Sequence, residues 1–232
     1  MKPPATLDPS RLPNPLCTDD ACVEIDGVAA SRRGRPSLEE AQRLPIRILE
    51  AGWEVLAQHG FDGFTFDRIA RHARIGKATI YSRFTSKQAF LDALLKLKVE
   101  QRRVSIRSVG ADLPLIDAFC QRAVAVVELM LSPDGVMMER LVDWCDQEFG
   151  DGQVNYRHAM FEHALINIEA ELREAAAKEN FRIPDFALAA RFWMEGLLGH
   201  TRLMGSAQAF DREDTEKWAQ SYSAFFFGRL GG

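Results

Sequence analysis

From Pro45 onward the apolar residues of this 232-residue chain recur every three to four positions, and no stretch shows the alternation of a half-buried strand. Ile46, Leu49, Trp53, Leu56 and Ala57 fall on one helical face, with Pro45 suited to a first turn and Gly60 to a C-terminal cap. Thr65 can cap a second, short helix through its hydroxyl. Asp67 then meets the positive end of that helix's dipole, and Phe66, Ile69, Ala70 and Ala73 point inward. A turn near Arg74 to Gly76 leads into a third short helix reaching about Phe84. Ser86 caps a long fourth helix running through Phe90, Leu94 and Leu97 towards Arg107. Beyond Pro114, helices are expected near 114–131, 134–149, 154–179, 185–204 and 211–229, separated by SPDG, GDGQ, Pro184 and GSAQAFD. The pattern predicts an all-α chain of eight or nine helices.

The start of the chain follows different rules. Five prolines, Pro3, Pro4, Pro9, Pro13 and Pro15, fall within its first fifteen residues, and no periodicity there would support a packed core. Residues 1–40 are therefore expected to form a mobile arm, ahead of a three-helix unit over 41–90 and a larger helical body over 91–232. No apolar run of membrane-spanning length and no signal-peptide core is present, so a cytoplasmic location is expected. Cys17, Cys22, Cys120 and Cys145 lack metal-ligand spacing. They read as reduced thiols, with a redox pair of Cys120 and Cys145 as the alternative; Asp143 and Asp146 beside Cys145 would raise its pKa, not lower it.

The net charge of −4 conceals a segregation. Residues 1–30 carry two Lys/Arg against five Asp/Glu, residues 31–107 carry sixteen against eight, and residues 108–232 carry eleven against twenty. A basic segment followed by an acidic one points to a polyanionic partner for the first alone. Within the basic segment, two short helices locked across a tight turn have the geometry of a helix-turn-helix, whose second helix can enter a major groove. In ARIGKATIYSRFTSK the inward positions are Ala73, Ile75, Ile80 and Phe84. Lys77, Ala78, Thr79, Tyr81, Ser82 and Arg83 are left for the groove and its walls, and the polar members of that set are hydrogen-bond donors of the kind phosphates and base edges accept.

Residues 45–95 resemble the DNA-binding domain of the TetR family of transcriptional regulators, through ILEAGWEVLAQHGF, FTFDRIARHA, GKATIYSRF and SKQAFLDALL in register. The resemblance implies that Thr65 bonds a phosphate at its helix N-terminus and that Tyr81 and Lys87 clamp the backbone. Lys77, Ala78, Thr79, Ser82 and Arg83 would face bases or neighbouring phosphates. Tyr81 as a cap on the small core, and Lys87 as a solvated lysine at a helix start, are the alternatives. Two positions depart from the family pattern. Arg74 stands where the turn usually has glycine, at a cost of roughly 1 kcal/mol if its φ is positive, and could add a phosphate contact; Gly76 replaces the usual Ser or Thr cap. Upstream, RRGRP resembles the core of an AT-hook, so that Arg33 and Arg35 either enter a minor groove or belong to an unstructured basic tail.

By the same resemblance, the body binds an effector and dimerises. Met130, Met137, Met138, Trp144, Phe149, Met160, Phe161, Trp193 and Met194 are candidates for an adaptable apolar pocket, or ordinary core, with His163 and Asn167 as polar anchors for a ligand or as satisfied interior groups. His158 and Glu162 share a helical face but His163 does not, so neither a metal nor any other cofactor is expected. Leu197 and Met204, then Trp218, Tyr222, Phe225 and Phe226, would be a liability if exposed on a monomer. They either close a homodimer interface or pack on the chain's own body. The expectation is a homodimeric regulator of a pseudo-palindromic double-stranded DNA operator, a repressor released by a small apolar or amphipathic effector. A constitutive architectural DNA binder is the alternative, and an all-α enzyme the third reading.

Overall fold

The computed structural model describes residues 38–149, 155–205 and 211–230. Residues 1–37 of the arm expected over 1–40, with Arg33, Arg35, Cys17 and Cys22, lie outside them, and residues 38–40 belong to the first helix instead. The described residues form nine α-helices and no strand: α1 (Leu38–His59), α2 (Phe66–Ala73), α3 (Lys77–Tyr81), α4 (Lys87–Ser108), α5 (Leu115–Leu131), α6 (Pro133–Phe149), α7 (Tyr156–Glu179), α8 (Phe186–Met204) and α9 (Arg212–Leu230). None of these helices is long and apolar enough to cross a membrane.

Helix α1 begins at Leu38, upstream of the expected start at Pro45, which lies inside it. Proline removes one backbone donor, but its φ is helical, and the preceding LEEAQRL is rich in strong helix formers. The buried stripe of α1 also differs from the expected one. Ile46 is 50% exposed and Ala57 is exposed, whereas Ile48 and Val55 are buried. Because α1 packs against both α2 and α4, its apolar stripe is set by two neighbours rather than one. Gly52 permits the crossing with α4: a Cβ there would stand 2.6 Å from the ring of Phe90.

Local chemistry sets the next boundaries. Thr65 Oγ1 accepts from the Arg68 N–H at 3.3 Å and Ser86 Oγ from the Ala89 N–H at 3.0 Å, the two caps read from sequence. Helix α3 stops at Tyr81, short of the expected Phe84. The backbone N–H groups of Arg83 and Phe84 both turn back to the Ile80 carbonyl, and this tight turn drops Phe84 into the core beside Phe90.

Two apolar cores result. The first joins α1–α4 to Met138, Leu141, Val142 and Cys145 of α6, and the second joins α5, α7, α8 and α9. Helix α4 runs unbroken across the expected boundary at 90/91, so the three-helix unit is continuous with the body along α4 and packed on it through α6. Cys145 belongs to the first core and Cys120 packs against the second. Burial pushes the Cys145 thiol up to about 12, the character of an inert interior thiol.

Candidate nucleic-acid interface and body cavity

Helices α2 and α3 are joined through Arg74, whose φ of 55° and ψ of 47° place it in the left-handed region. Its N–H donates to the carbonyls of Ala70 and Arg71, closing α2. The turn presents α3 outward: Lys77, Ala78, Tyr81, Ser82 and Arg83 are exposed, Thr79 is half-buried, and Ile80 is fully buried. Thr65 spends a lone pair on its cap, which leaves the hydroxyl proton available to a phosphate oxygen. The Tyr81 ring meets Phe66 edge-on at 5.2 Å, capping the small core, while the residue stays 53% exposed. Lys77 Nζ lies 2.9 Å from Asp67 Oδ2, and this hydrogen bond raises the lysine's pKa. An exposed pair of this kind is weak and exchanges readily for a phosphate.

Lys87 shows a contact that sequence reasoning missed. It is exposed at the start of α4, yet its ammonium sits 4.5 Å from the ring centre of Trp144 on α6 and 5.6 Å from that of Phe64. Trp144 in turn stacks on Phe61 at 5.2 Å. Further along, Gln88 donates to the Tyr156 hydroxyl at 3.2 Å. At the other end of α6, Asp134 receives the Trp53 indole N–H at 3.0 Å and Arg102 at 2.7 Å, joining α1, α4 and α6 at one carboxylate.

A cavity of about 580 Å³ lies between α4, α5, α6, α7 and α8. Met130, Met160, Asn167 and Trp193 line it as expected, as do Met138, Phe161 and Met194. Met137, Trp144 and Phe149 do not; they pack on the first core, because α6 turns one face to the cavity and another to the DNA-binding helices. His163 is exposed, since the cavity face of α7 carries positions 157, 158, 160, 161, 164, 167, 168 and 171. Its carbonyl accepts from the Asn167 side-chain amide at 3.0 Å.

The charged lining of the cavity was not read from sequence. Arg102, Arg103, Arg122 and Arg157 reach it, with Glu139 and Glu171. Arg122 and Glu171 pair at 3.2 Å, each with 13% of its side chain exposed. Burial pushes the Glu171 carboxyl up, against the opposing fields of Arg122, Arg107 and Arg103. Arg122 also donates to the carbonyls of Arg107 and Val109 at 3.1 and 3.0 Å, satisfying the C-terminal end of α4. Among the described residues no group of three or more His, Cys, Asp or Glu could hold a metal ion.

Residues 48–94 match the family described as bacterial regulatory proteins, tetR family. This chain belongs to the TetR family of transcriptional regulators. It is 26% identical over 159 residues to the HTH-type transcriptional regulator YdeS of Bacillus subtilis, covering 66% of this chain and 73% of YdeS. With UidR of Escherichia coli K12 it shares 30% identity over 103 residues, 39% of this chain and about half (52%) of UidR. A TetR-family regulator from Mesorhizobium loti superposes with a TM-score of 0.66 at 17% identity, covering 82% of this chain and 98% of that one, a likeness of fold. Regulators of the TetR family bind DNA and usually act as dimers, and they are not enzymes.

In this TetR-family chain the candidate dimer residues divide. Leu197 is a correction: it is 1% exposed and lines the cavity, because its face of α8 looks inward. Trp218, Tyr222 and Phe226 are half-buried in the second core, the alternative the sequence had left open, and Met204 packs beside them. Trp193, Tyr222, Trp218 and His200 form a continuous stack with centroid spacings of 4.8, 5.0 and 3.6 Å. Phe225 is 67% exposed, and Phe192 and Leu203, which the sequence reading did not single out, are 54% and 89% exposed. The apolar surface of α8 and α9 therefore comes from residues adjacent to most of those expected.

Proposed function

We propose that the protein is a homodimeric, cytoplasmic repressor of a short pseudo-palindromic operator and is released by a small molecule held in the body cavity. Two α3 helices set about 34 Å apart would meet successive major grooves. Thr65, Lys77, Ala78, Thr79, Tyr81, Ser82, Arg83 and Lys87 would make the contacts, with Arg74 adding a phosphate and Arg33 and Arg35 reaching the adjoining minor groove. The exposed apolar surface of α8 and α9 would close the dimer.

The observation that carries the regulatory part is the position of Arg102. It lines the cavity and also binds the carboxylate of Asp134, which holds Trp53 of α1. A ligand that prefers one arrangement of α4 against α6 thereby acts on the helices that carry α2 and α3. It shifts the population only by its difference in affinity for the two arrangements.

Selection of bound genomic fragments followed by footprinting tests this reading. Protection of one short palindrome by a dimer is the expected result. Binding without sequence preference would instead favour an architectural protein. Substrate turnover without DNA affinity would favour an enzyme.

A further inference from the structure

The body is the acidic part of the chain, with eleven Lys/Arg against twenty Asp/Glu over residues 108–232, but its cavity is not acidic. Four arginines and two glutamates are among the residues that line it. The donors and acceptors are unequally used. Glu171 is taken by Arg122 and Glu139 by Arg157 at 2.6 Å, so a cationic ligand would find its natural partners already bound. Among the described residues Arg102 binds Asp134 through Nη2 alone, and its Nε is buried without a hydrogen-bond partner. Arg103 binds Glu100 through Nε and Nη2 at 2.8 and 2.5 Å, which leaves Nη1 uncommitted among the described residues. A guanidinium offers five N–H donors, and a buried donor left unspent calls for an acceptor.

The shape adds a second constraint. The lining positions of α7 run along one face from Arg157 to Glu171, which at the rise of an α-helix is about 21 Å. Between these ends the α7 lining is apolar at Met160, Phe161, Ala164 and Ile168 and polar at His158 and Asn167. A volume of about 580 Å³ is in the range that encloses a drug-sized molecule.

We infer that the cavity takes an elongated amphipathic anion, a molecule with an apolar body and one carboxylate or comparable acidic group, whose charged end is received by Arg102 and Arg103 of α4. The inference rests on the regulatory reading above and names the chemistry of its effector. A carboxylate on Arg102 competes with Asp134 for the same guanidinium. Occupancy of the cavity therefore weakens the junction that Asp134 makes with α4 and, through Trp53, with α1.

The test uses the full chain without DNA and two matched probe sets below micellar concentration: decanoate, decanol and decyltrimethylammonium, then 2-naphthoate, 2-naphthol and a naphthylmethylammonium salt. Calorimetry and the fluorescence of Trp193, which lines the cavity, report binding. In at least one set the anion is expected to bind about tenfold or more tightly than its neutral and cationic partners, the value of a charged hydrogen bond. Arg102→Gln and Arg103→Gln should each remove most of that preference and leave binding of the neutral probe unchanged. Among the described residues Arg103 pairs only with Glu100 on its own helix, so its variant is expected to keep the fold even if Arg102→Gln does not. Equal affinity for anion and neutral probe in both sets, a cation preference, or an anion preference that survives Arg103→Gln would overturn the assignment. A sequence-specific footprint with no anion preference would sink this inference and leave the regulator standing. Anion preference with no protected DNA site would do the reverse.

Discussion

At the residue scale, Arg74 is held in a conformation that costs an L-residue about 1 kcal/mol, and its exposed side chain lies at the turn that aims α3. Strain of this kind persists where something compensates it, and DNA contact is the compensation proposed here. Arg74→Gly is expected to leave thermal stability unchanged or slightly raised, because the relief is offset by the entropy of a more flexible unfolded chain. The same change should weaken operator binding and reduce its salt slope by about one unit. Unfolding melts and a salt titration of DNA affinity read the two effects separately; an unchanged slope would remove Arg74 from the interface. Lys87 presents the complementary case. Lys87→Ala is expected to weaken binding about equally on all sequences and to cost about 0.5–1 kcal/mol of stability through the lost contact with Trp144. A change in sequence preference would contradict a phosphate role.

At the element scale, the chain's local chemistry placed most helices. Helices α5 to α9 lie within two residues of the ends expected from periodicity and breaker residues, and the Thr65 and Ser86 caps form as read. Those signals act over one helical turn, so neighbours in sequence carry them. The sequence marks Pro45 as a boundary, whereas proline's helical φ and the strong helix formers ahead of it let α1 begin at Leu38. The close crossing of α1 and α4 at Gly52 was not legible either, since the partner ring belongs to Phe90. Gly52→Ala should destabilise the protein by about 1–3 kcal/mol through overpacking. Denaturant unfolding checks it, and a neutral result would mean that the two helices can part without cost.

At the scale of the whole molecule, α6, like α4, is shared by both halves. One face completes the core of the DNA-binding helices and another lines the cavity. Asp134 at its start is the joint where α1, α4 and α6 meet. Asp134→Ala is expected to lower the dependence of DNA affinity on effector while leaving effector binding itself within a few-fold, a separation read by measuring DNA affinity with and without saturating ligand. Loss of both together would indicate a general defect of folding and not of coupling.

The sequence by itself determined the helical class, the basic character of residues 31–107 and the outward set on α3, since helical period and side-chain charge are local properties that survive any packing of the body. Tertiary structure decided which residues line the cavity, that Leu197 faces inward, that Met137 and Trp144 serve the DNA-binding core, and that the arginines of α4 and α5 reach the lumen. The physical reason is the same in each case. A helix with several apolar or amphipathic faces can turn any of them inward, and only the position of its neighbours selects one.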